Sequence, residues 1–342
     1  MIKKRILVID DSAVIRRYLI KLLQDAGFEV DFAKNGEEAL QKLREQHYSL
    51  VTLDIEMPVL DGIETLKILM KEKPTRVLMI SSFTSQNADV TFQALELGAI
   101  DYIPKPKSSV EIAKISQEIL QKVKKVLQVL PKNINKKQLS LSSEAAGINT
   151  NIDMKFVLVG ASTGGPKLIE AICKNLPKDY PHTVCIVQHM PTEFTANFAK
   201  RLNTLSKVEV LEADNGVELK KSRVIIAKGG KHLHFRKKLK TYSCLLTPNT
   251  QERFFVPSVD EMFFSALEML PVKNILAVEL TGIGDDGADG IVALKKAGAY
   301  TLAESEESAV VYGMPKEAAQ RGGATKILPF NEILEEIIRY GQ

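Results

Sequence analysis

Short apolar runs alternate with amphipathic stretches through the first third of the chain. Arg5-Ile6-Leu7-Val8-Ile9 reads as a buried strand, and further strand-like runs cover Glu29 to Ala33, Leu50 to Leu53, Val77 to Ile80 and Asp101 to Ile103. After the first run Ser12 is placed as a helix N-cap, with Val14, Ile15, Tyr18, Leu19, Leu22 and Leu23 at helical spacing before Gly27 closes the helix. Asn87 to Leu97 repeats that helical pattern. Strands and helices alternating at this spacing predict an α/β fold, a parallel sheet covered on both faces. The pattern resumes with Phe156 to Val159, an apolar run stopped by Gly160, and Pro166 stands where a following helix places its first turn. Leu168, Ile169, Ala171, Ile172 and Leu176 then give a helical face, and two more strands are predicted at Thr183 to Val187 and Asn274 to Leu280.

Polar residues gather where these runs end. Asp10 and Asp11 follow the first strand, Asp54 the third, Ser81 the fourth and Lys105 the fifth, so all five are expected at the carboxyl edge of one sheet, where open α/β sheets bind ligands. Three carboxylates brought together repel unless a hard cation sits among them, and oxygen ligands favour Mg²⁺. A lysine opposite can neutralise a phosphoryl group.

In the second half, Gly160-Ala161-Ser162-Thr163-Gly164 matches G-x-S-x-G, a serine on a sharp strand-to-helix turn. Such a turn equally suits a bound phosphate, but neither the G-K-[ST] of a P-loop nor G-x-G-x-x-G spacing is present. His189 follows the second strand of this half and Asp286 the third. If those strands are parallel neighbours, Ser162, His189 and Asp286 converge on one edge, where histidine can take the serine proton and aspartate can orient the histidine. The plain alternatives are a histidine satisfied by local hydrogen bonds, and Asp285 and Asp286 as helix caps.

Composition narrows the classes. With 342 residues, 45% hydrophobic and 26% charged, the chain is long enough for two domains that each bury a core. From Gln121 to Asp153 the periodicity fades, and six lysines stand against two acids, a surplus equal to the +4 of the whole chain. That segment has no aromatic residue and no helix-turn-helix pattern follows it, so it reads as a solvated linker and nucleic-acid binding is not expected. No apolar run approaches the roughly 20 residues that span a membrane, and MIKKRILVIDD is unlike a signal peptide. A cytoplasmic monomer without membrane insertion is expected. Cys173, Cys185 and Cys244 lie far apart with no CxxC and read as small core residues.

VIDDS, LDIEMPVLDG, ISS and Lys105-Pro106 resemble the response-regulator receiver domain over residues 1–122. The resemblance implies a flavodoxin-like five-stranded parallel sheet, with Asp54 as phosphoacceptor. Asp10, Asp11, Asp54 and the Glu56 carbonyl would surround Mg²⁺, Ser81 and Tyr102 would form a switch pair, and Lys105 would be the phosphate partner. It also suggests a cis bond before Pro106. Residues 123–153 are then a linker.

VGASTGGP, VQHMP, Pro257 to Asp260 (PSVD), LTGIGDDGADG and Val311 to Pro315 (VYGMP) are similar to the catalytic domain of chemotaxis protein-glutamate methylesterases, the CheB family, over residues 154–342. This implies a doubly wound, mostly parallel α/β domain with an antiparallel hairpin, with Ser162 as nucleophile, His189 as base and Asp286 as its orienting partner. The amides of Ile283, where that family usually has methionine, and Thr163 are the oxyanion-hole candidates. The family's H-R-P-S-V-D reads Phe255-Val256-Pro257-Ser258-Val259-Asp260 here and its A-P-G reads Ala227-Lys228-Gly229, departures that bear on the substrate groove. The two resemblances together imply a phosphorylation-activated methylesterase and glutamine deamidase. Its phosphodonor would be a chemotaxis histidine kinase and its substrate the cytoplasmic helices of methyl-accepting chemoreceptors, with Mg²⁺ in the first domain and no cofactor for hydrolysis.

Overall fold

A computed structural model of the chain describes residues 4–81, 85–105, 109–129 and 153–340. The chain separates into two compact units, Met1–Lys137 and Gln138–Gln342. In the first, β1 (Arg5–Ile9), α1 (Ala13–Asp25), β2 (Glu29–Ala33), α2 (Gly36–Glu45), β3 (Leu50–Asp54), α3 (Gly62–Glu72), β4 (Val77–Ser81), α4 (Ser85–Leu97), β5 (Asp101–Pro104) and α5 (Ser109–Val126) alternate along the chain. The strands lie in the order β2-β1-β3-β4-β5 with every register parallel. β3 and β4 are buried throughout because helices cover both faces, which is why their sequences are continuous apolar runs rather than alternating ones. Ser12 caps α1 as expected, accepting from the Ile15 amide.

One expectation is corrected here. The first residues assigned to the linker are helical, since α5 continues to Val126 and Leu127 and Val129 are buried beyond it. Lys122 is no solvated linker residue. Its ammonium lies 3.1 Å from Asp101 and 3.3 Å from Glu118, and it donates to the Tyr102 carbonyl at 2.7 Å. The lysine-rich composition hid an apolar stripe of Ile115, Ile119, Val123 and Val126, all buried, whose spacing of three or four residues is helical. The bond preceding Pro106 lies outside the described residues.

The second unit contains β6 (Phe156–Ala161), α6 (Gly165–Asn175), β7 (Thr183–Gln188), α7 (Thr192–Leu205), β8 (Glu209–Glu212), β9 (Arg223–Ile226), β10 (His232–Lys238), β11 (Thr241–Thr247), α8 (Val259–Met269), β12 (Ile275–Glu279), α9 (Ala288–Lys296), β13 (Tyr300–Glu304), α10 (Met314–Gln320), β14 (Lys326–Leu328) and α11 (Phe330–Ile338). Seven strands form one sheet in the order β14-β13-β12-β6-β7-β9-β8, with every register parallel. β10 and β11 make a separate antiparallel hairpin. The chain leaves β6 towards β7 on one side and later returns to β12 on the other, which makes the carboxyl ends of β6 and β12 the point where strand order reverses. The core beneath is packed from Phe156, Leu158, Cys185, Phe235, Cys244, Val259, Phe263 and Ala277 among others. All three cysteines are free and buried. The Val256–Pro257 peptide is cis.

Candidate active site

Registers between β6 and its neighbours decide what meets at the reversal point. Ala161 pairs with Gln188, so Ser162 and His189 stand side by side one residue past two adjacent strand ends. On the other flank the Ser162 amide donates to the Thr281 carbonyl at 2.9 Å, tying the turn to the segment that follows β12. Gly164 turns the chain in the left-handed region at φ 84°, and α6 begins at Gly165 with a proline in its first turn. The glycines are demanded by crowding. A Cβ on Gly160 would sit 2.4 Å from Val259 Cγ1, and one on Gly165 would sit 2.2 Å from Gln188 Oε1. Gln188 also donates to the Ser162 carbonyl at 2.9 Å, a brace the hydrophobic pattern gave no sign of.

His189 Nε2 lies 2.7 Å from Asp286 Oδ2, and both side chains are nearly buried. The other ring nitrogen, Nδ1, is buried and has no hydrogen-bond partner among the described residues. The Ser162 side chain is 6% exposed and its hydroxyl is not bonded to the imidazole. Such bonds are commonly long before substrate arrives. Ser162, His189 and Asp286 are therefore brought to one edge, with the histidine–aspartate link made.

Asp286 sits against the N-terminus of α8. Its Oδ1 accepts from Ser258 Oγ at 2.6 Å and from the Asp260 amide at 3.2 Å, while Oδ2 also accepts from the Val259 amide at 2.7 Å. Burial alone would raise its carboxyl, but the bonds from His189, Ser258 and Val259 outweigh that and hold it below the ordinary carboxylate range. Two nearby acids go the other way. Burial pushes Asp260 up to about 6 against the Gly290 amide it accepts from, with the charge of Asp286 adding to the rise. Glu279 is fully buried beneath the turn with no hydrogen-bond partner on either oxygen among the described residues, and burial, then Asp286 and Asp260, push it well above the usual range. The environment thus makes Asp286 the most readily ionised of the three.

Asp285 is exposed and pairs with Arg321 at 2.6 Å, away from His189. Neither acid caps α9, whose N-cap is Gly287 without a side-chain bond. Ile283 is 6% exposed, and among the described residues its amide has no acceptor. Thr163 is 2% exposed, and its carbonyl accepts from Thr281 Oγ1 at 2.9 Å. A residue outside the expected set stands closest over the histidine: the Phe255 ring stacks on the imidazole at 4.0 Å and 8°.

In the first unit the strand-end residues also assemble. Asp10, Asp11 and Asp54 each offer an oxygen, all within 4.8 Å of one another. Lys105 Nζ lies 2.5 Å from Asp54 Oδ2 and 3.0 Å from Asp10 Oδ2, and the Asp10 side chain is buried. Three carboxylates so close, with a single ammonium facing two of them, leave negative charge and oxygen ligands that fit a hard cation such as Mg²⁺. Burial raises Asp54 to about 6; the Lys105 bond opposes the rise and the Asp10 charge adds to it. Arg16 Nη1 donates to both the Asp10 and Asp11 carbonyls at 2.8 Å and braces the turn that carries them. Glu56 is exposed and lines the same shallow cleft as Asp11. Ser81 is buried with Thr91 Oγ1 at 3.4 Å, and Tyr102 is buried under the Lys122 ammonium at 5.2 Å from its ring centre.

The fold and its two polar edges define a two-part α/β protein, a receiver-type sheet with an acidic pocket followed by a doubly wound sheet with a serine turn at its reversal point. Residues 6–117 match the response regulator receiver domain and residues 157–337 match the family described as CheB methylesterase. The chain belongs to the CheB methylesterase family. It is 43% identical, over 99% of each chain, to the protein-glutamate methylesterase/protein-glutamine glutaminase 2 of Carboxydothermus hydrogenoformans. It is 39% identical to the protein of that activity name from Archaeoglobus fulgidus, over 98% of this chain and 97% of the other. The crystal structure of the Thermotoga maritima CheB methylesterase catalytic domain is similar with a TM-score of 0.52 at 37% identity, covering 55% of this chain and 98% of that one.

Proposed function

We propose that this chain is a phosphorylation-activated protein-glutamate methylesterase that acts on chemoreceptors in chemotactic adaptation, with glutamine deamidation as the second activity of the same site. The observation that carries the reading is the 2.7 Å bond between His189 and Asp286 beside the Ser162 turn. Ser162 Oγ attacks the side-chain carbonyl of a glutamyl methyl ester on the receptor's cytoplasmic helices. With Nε2 engaged by Asp286, Nδ1 of His189 is the nitrogen left to take the serine proton. The oxyanion that forms is received by the Thr163 and Ile283 amides at the start of α6 and after β12. On collapse the methoxy oxygen takes the proton from His189 and leaves as methanol. Water then adds to the acyl-enzyme with His189 again as base, and Ser162 is regenerated with its proton. A glutamine amide in place of the ester gives ammonia by the same steps.

The receiver unit supplies the control. Asp54 accepts a phosphoryl group from a chemotaxis histidine kinase, and Asp10, Asp11, Asp54 and the Glu56 carbonyl hold Mg²⁺. When bound, the ion offsets the charge of the transferred group. Lys105 pairs with that group, and Ser81 and Tyr102 relay its presence. The protein acts in the cytoplasm as a monomer; among the described residues no helix is long and apolar enough to cross a membrane. The test is methanol release from methylated receptor by wild type and Ser162→Ala. Release that is the same in both would overturn the reading.

A further inference from the structure

The Asp286 bond holds one edge of the His189 ring at 2.7 Å. A single bond at one edge does not set the plane of the ring, and the Phe255 ring lies against its face at 4.0 Å between centres and 8° between planes. Phe255 is itself held. Phe254 meets it edge-on at 4.8 Å and 86°, and the Gly284 backbone is close enough that a Cβ there would reach Phe255 Cε2 at 3.8 Å.

The loop that carries both rings is pinned at each end by one side chain of β10. His232 contacts Asn249 Oδ1 through Nε2 at 3.1 Å and accepts the Ser258 amide on Nδ1 at 3.1 Å. Asn249 closes the loop by bonding the Arg253 amide and carbonyl at 2.8 and 2.9 Å, and Arg253 is tied to Glu261 of α8 at 3.0 Å. Ser258, the last residue of the loop, is also the donor to Asp286. The same brace therefore sets the carboxylate on one edge of the imidazole and the aromatic ring on its face.

We propose that Phe255 is a positioning residue for His189: its stacked ring fixes the imidazole plane and closes that face to water, so that Nδ1 stays aimed for proton transfer. The inference rests on the esterase reading for its kinetic consequence, though not for its structural one. An aromatic face also favours the imidazolium that forms during each addition, because the ring quadrupole attracts the cation while a leucine of similar bulk does not.

The experiment compares Phe255→Leu, Phe255→Tyr and Phe255→Trp with wild type, using methanol release from methylated receptor and the downfield NMR signal of the His189 ring N–H bonded to Asp286. The leucine variant is expected to lose about tenfold in kcat with KM within about twofold, as a stacked pair worth one such interaction predicts. Its N–H signal should broaden through faster exchange with water. Tyrosine and tryptophan should restore both readouts to within about threefold of wild type. A leucine variant with wild-type kcat and an unbroadened signal would overturn the proposal, and so would a loss confined to KM. If wild type itself releases no methanol, the esterase reading fails, and the N–H signal alone still decides whether the stack holds the ring.

Discussion

Asp285 and Asp286 are adjacent in the chain, yet one faces solvent and Arg321 while the other is enclosed by His189, Ser258 and two amides of α8. Asp286→Asn should lower turnover by up to ~10⁴, because an amide that donates rather than accepts disturbs the histidine tautomer. Asp285→Asn should change it little, and the opposite ranking would show that the wrong carboxylate had been assigned. Asp260 carries a different consequence. Its carboxyl is pushed to about 6 from an ordinary 3.8, so between those values the folded state holds a proton that the unfolded chain has lost. Stability of the second unit therefore falls as pH rises through that window, by at most about 3 kcal/mol for a shift of this size. Asp260→Asn, which keeps an acceptor for the Gly290 amide, should flatten that part of the profile, as urea melts at pH 4 and pH 7 would report.

At the scale of elements, the serine turn works because β6, α6 and α8 approach more closely than side chains at the glycines would permit. Gly160→Ala places a methyl 2.4 Å from Val259 Cγ1 with the strand fixed by pairing on both sides, so the clash must be relieved by moving α8. Destabilisation of about 1–3 kcal/mol is expected from overpacking of this kind. Because α8 also holds Asp286, turnover of the folded fraction should drop with it. A variant with wild-type melting and wild-type turnover would contradict the account of the turn. The helix start matters as much as the strand ends here: the α8 amides neutralise a buried carboxylate that strand topology alone would leave unsupported.

For the whole molecule, the two polar edges belong to separate compact units, each with its own sheet and core. The residues proposed for phosphoryl transfer all lie in the first unit and those proposed for the ester chemistry all lie in the second, so each can be altered by itself. Asp54→Ala should remove the rise in methanol release that a small-molecule phosphodonor such as acetyl phosphate produces with Mg²⁺ present. A rise that persists in the variant would point to a different phosphoacceptor.

Period and punctuation in the sequence determined a great deal: the five strands of the first sheet, the three central strands of the second, and the polar residues at the ends of all of these but β2. Most were legible because a strand buried on both faces must be continuously apolar and must stop where its carboxyl end meets solvent or ligand; β2, at the sheet edge and half-exposed, shows instead by alternation. The short outer strands β8, β9 and β14, of three or four residues, are too brief for any periodicity to register. Only the tertiary structure decided the rest. Which acid meets His189 depends on the direction of one turn after β12, that Phe255 lies on its ring depends on a loop closed from β10, and that Lys122 is half-buried depends on the acids of β5 and α5 that receive its charge. Each is a contact between residues far apart in the chain, and local pattern records what a segment must bury without recording what it will be buried against.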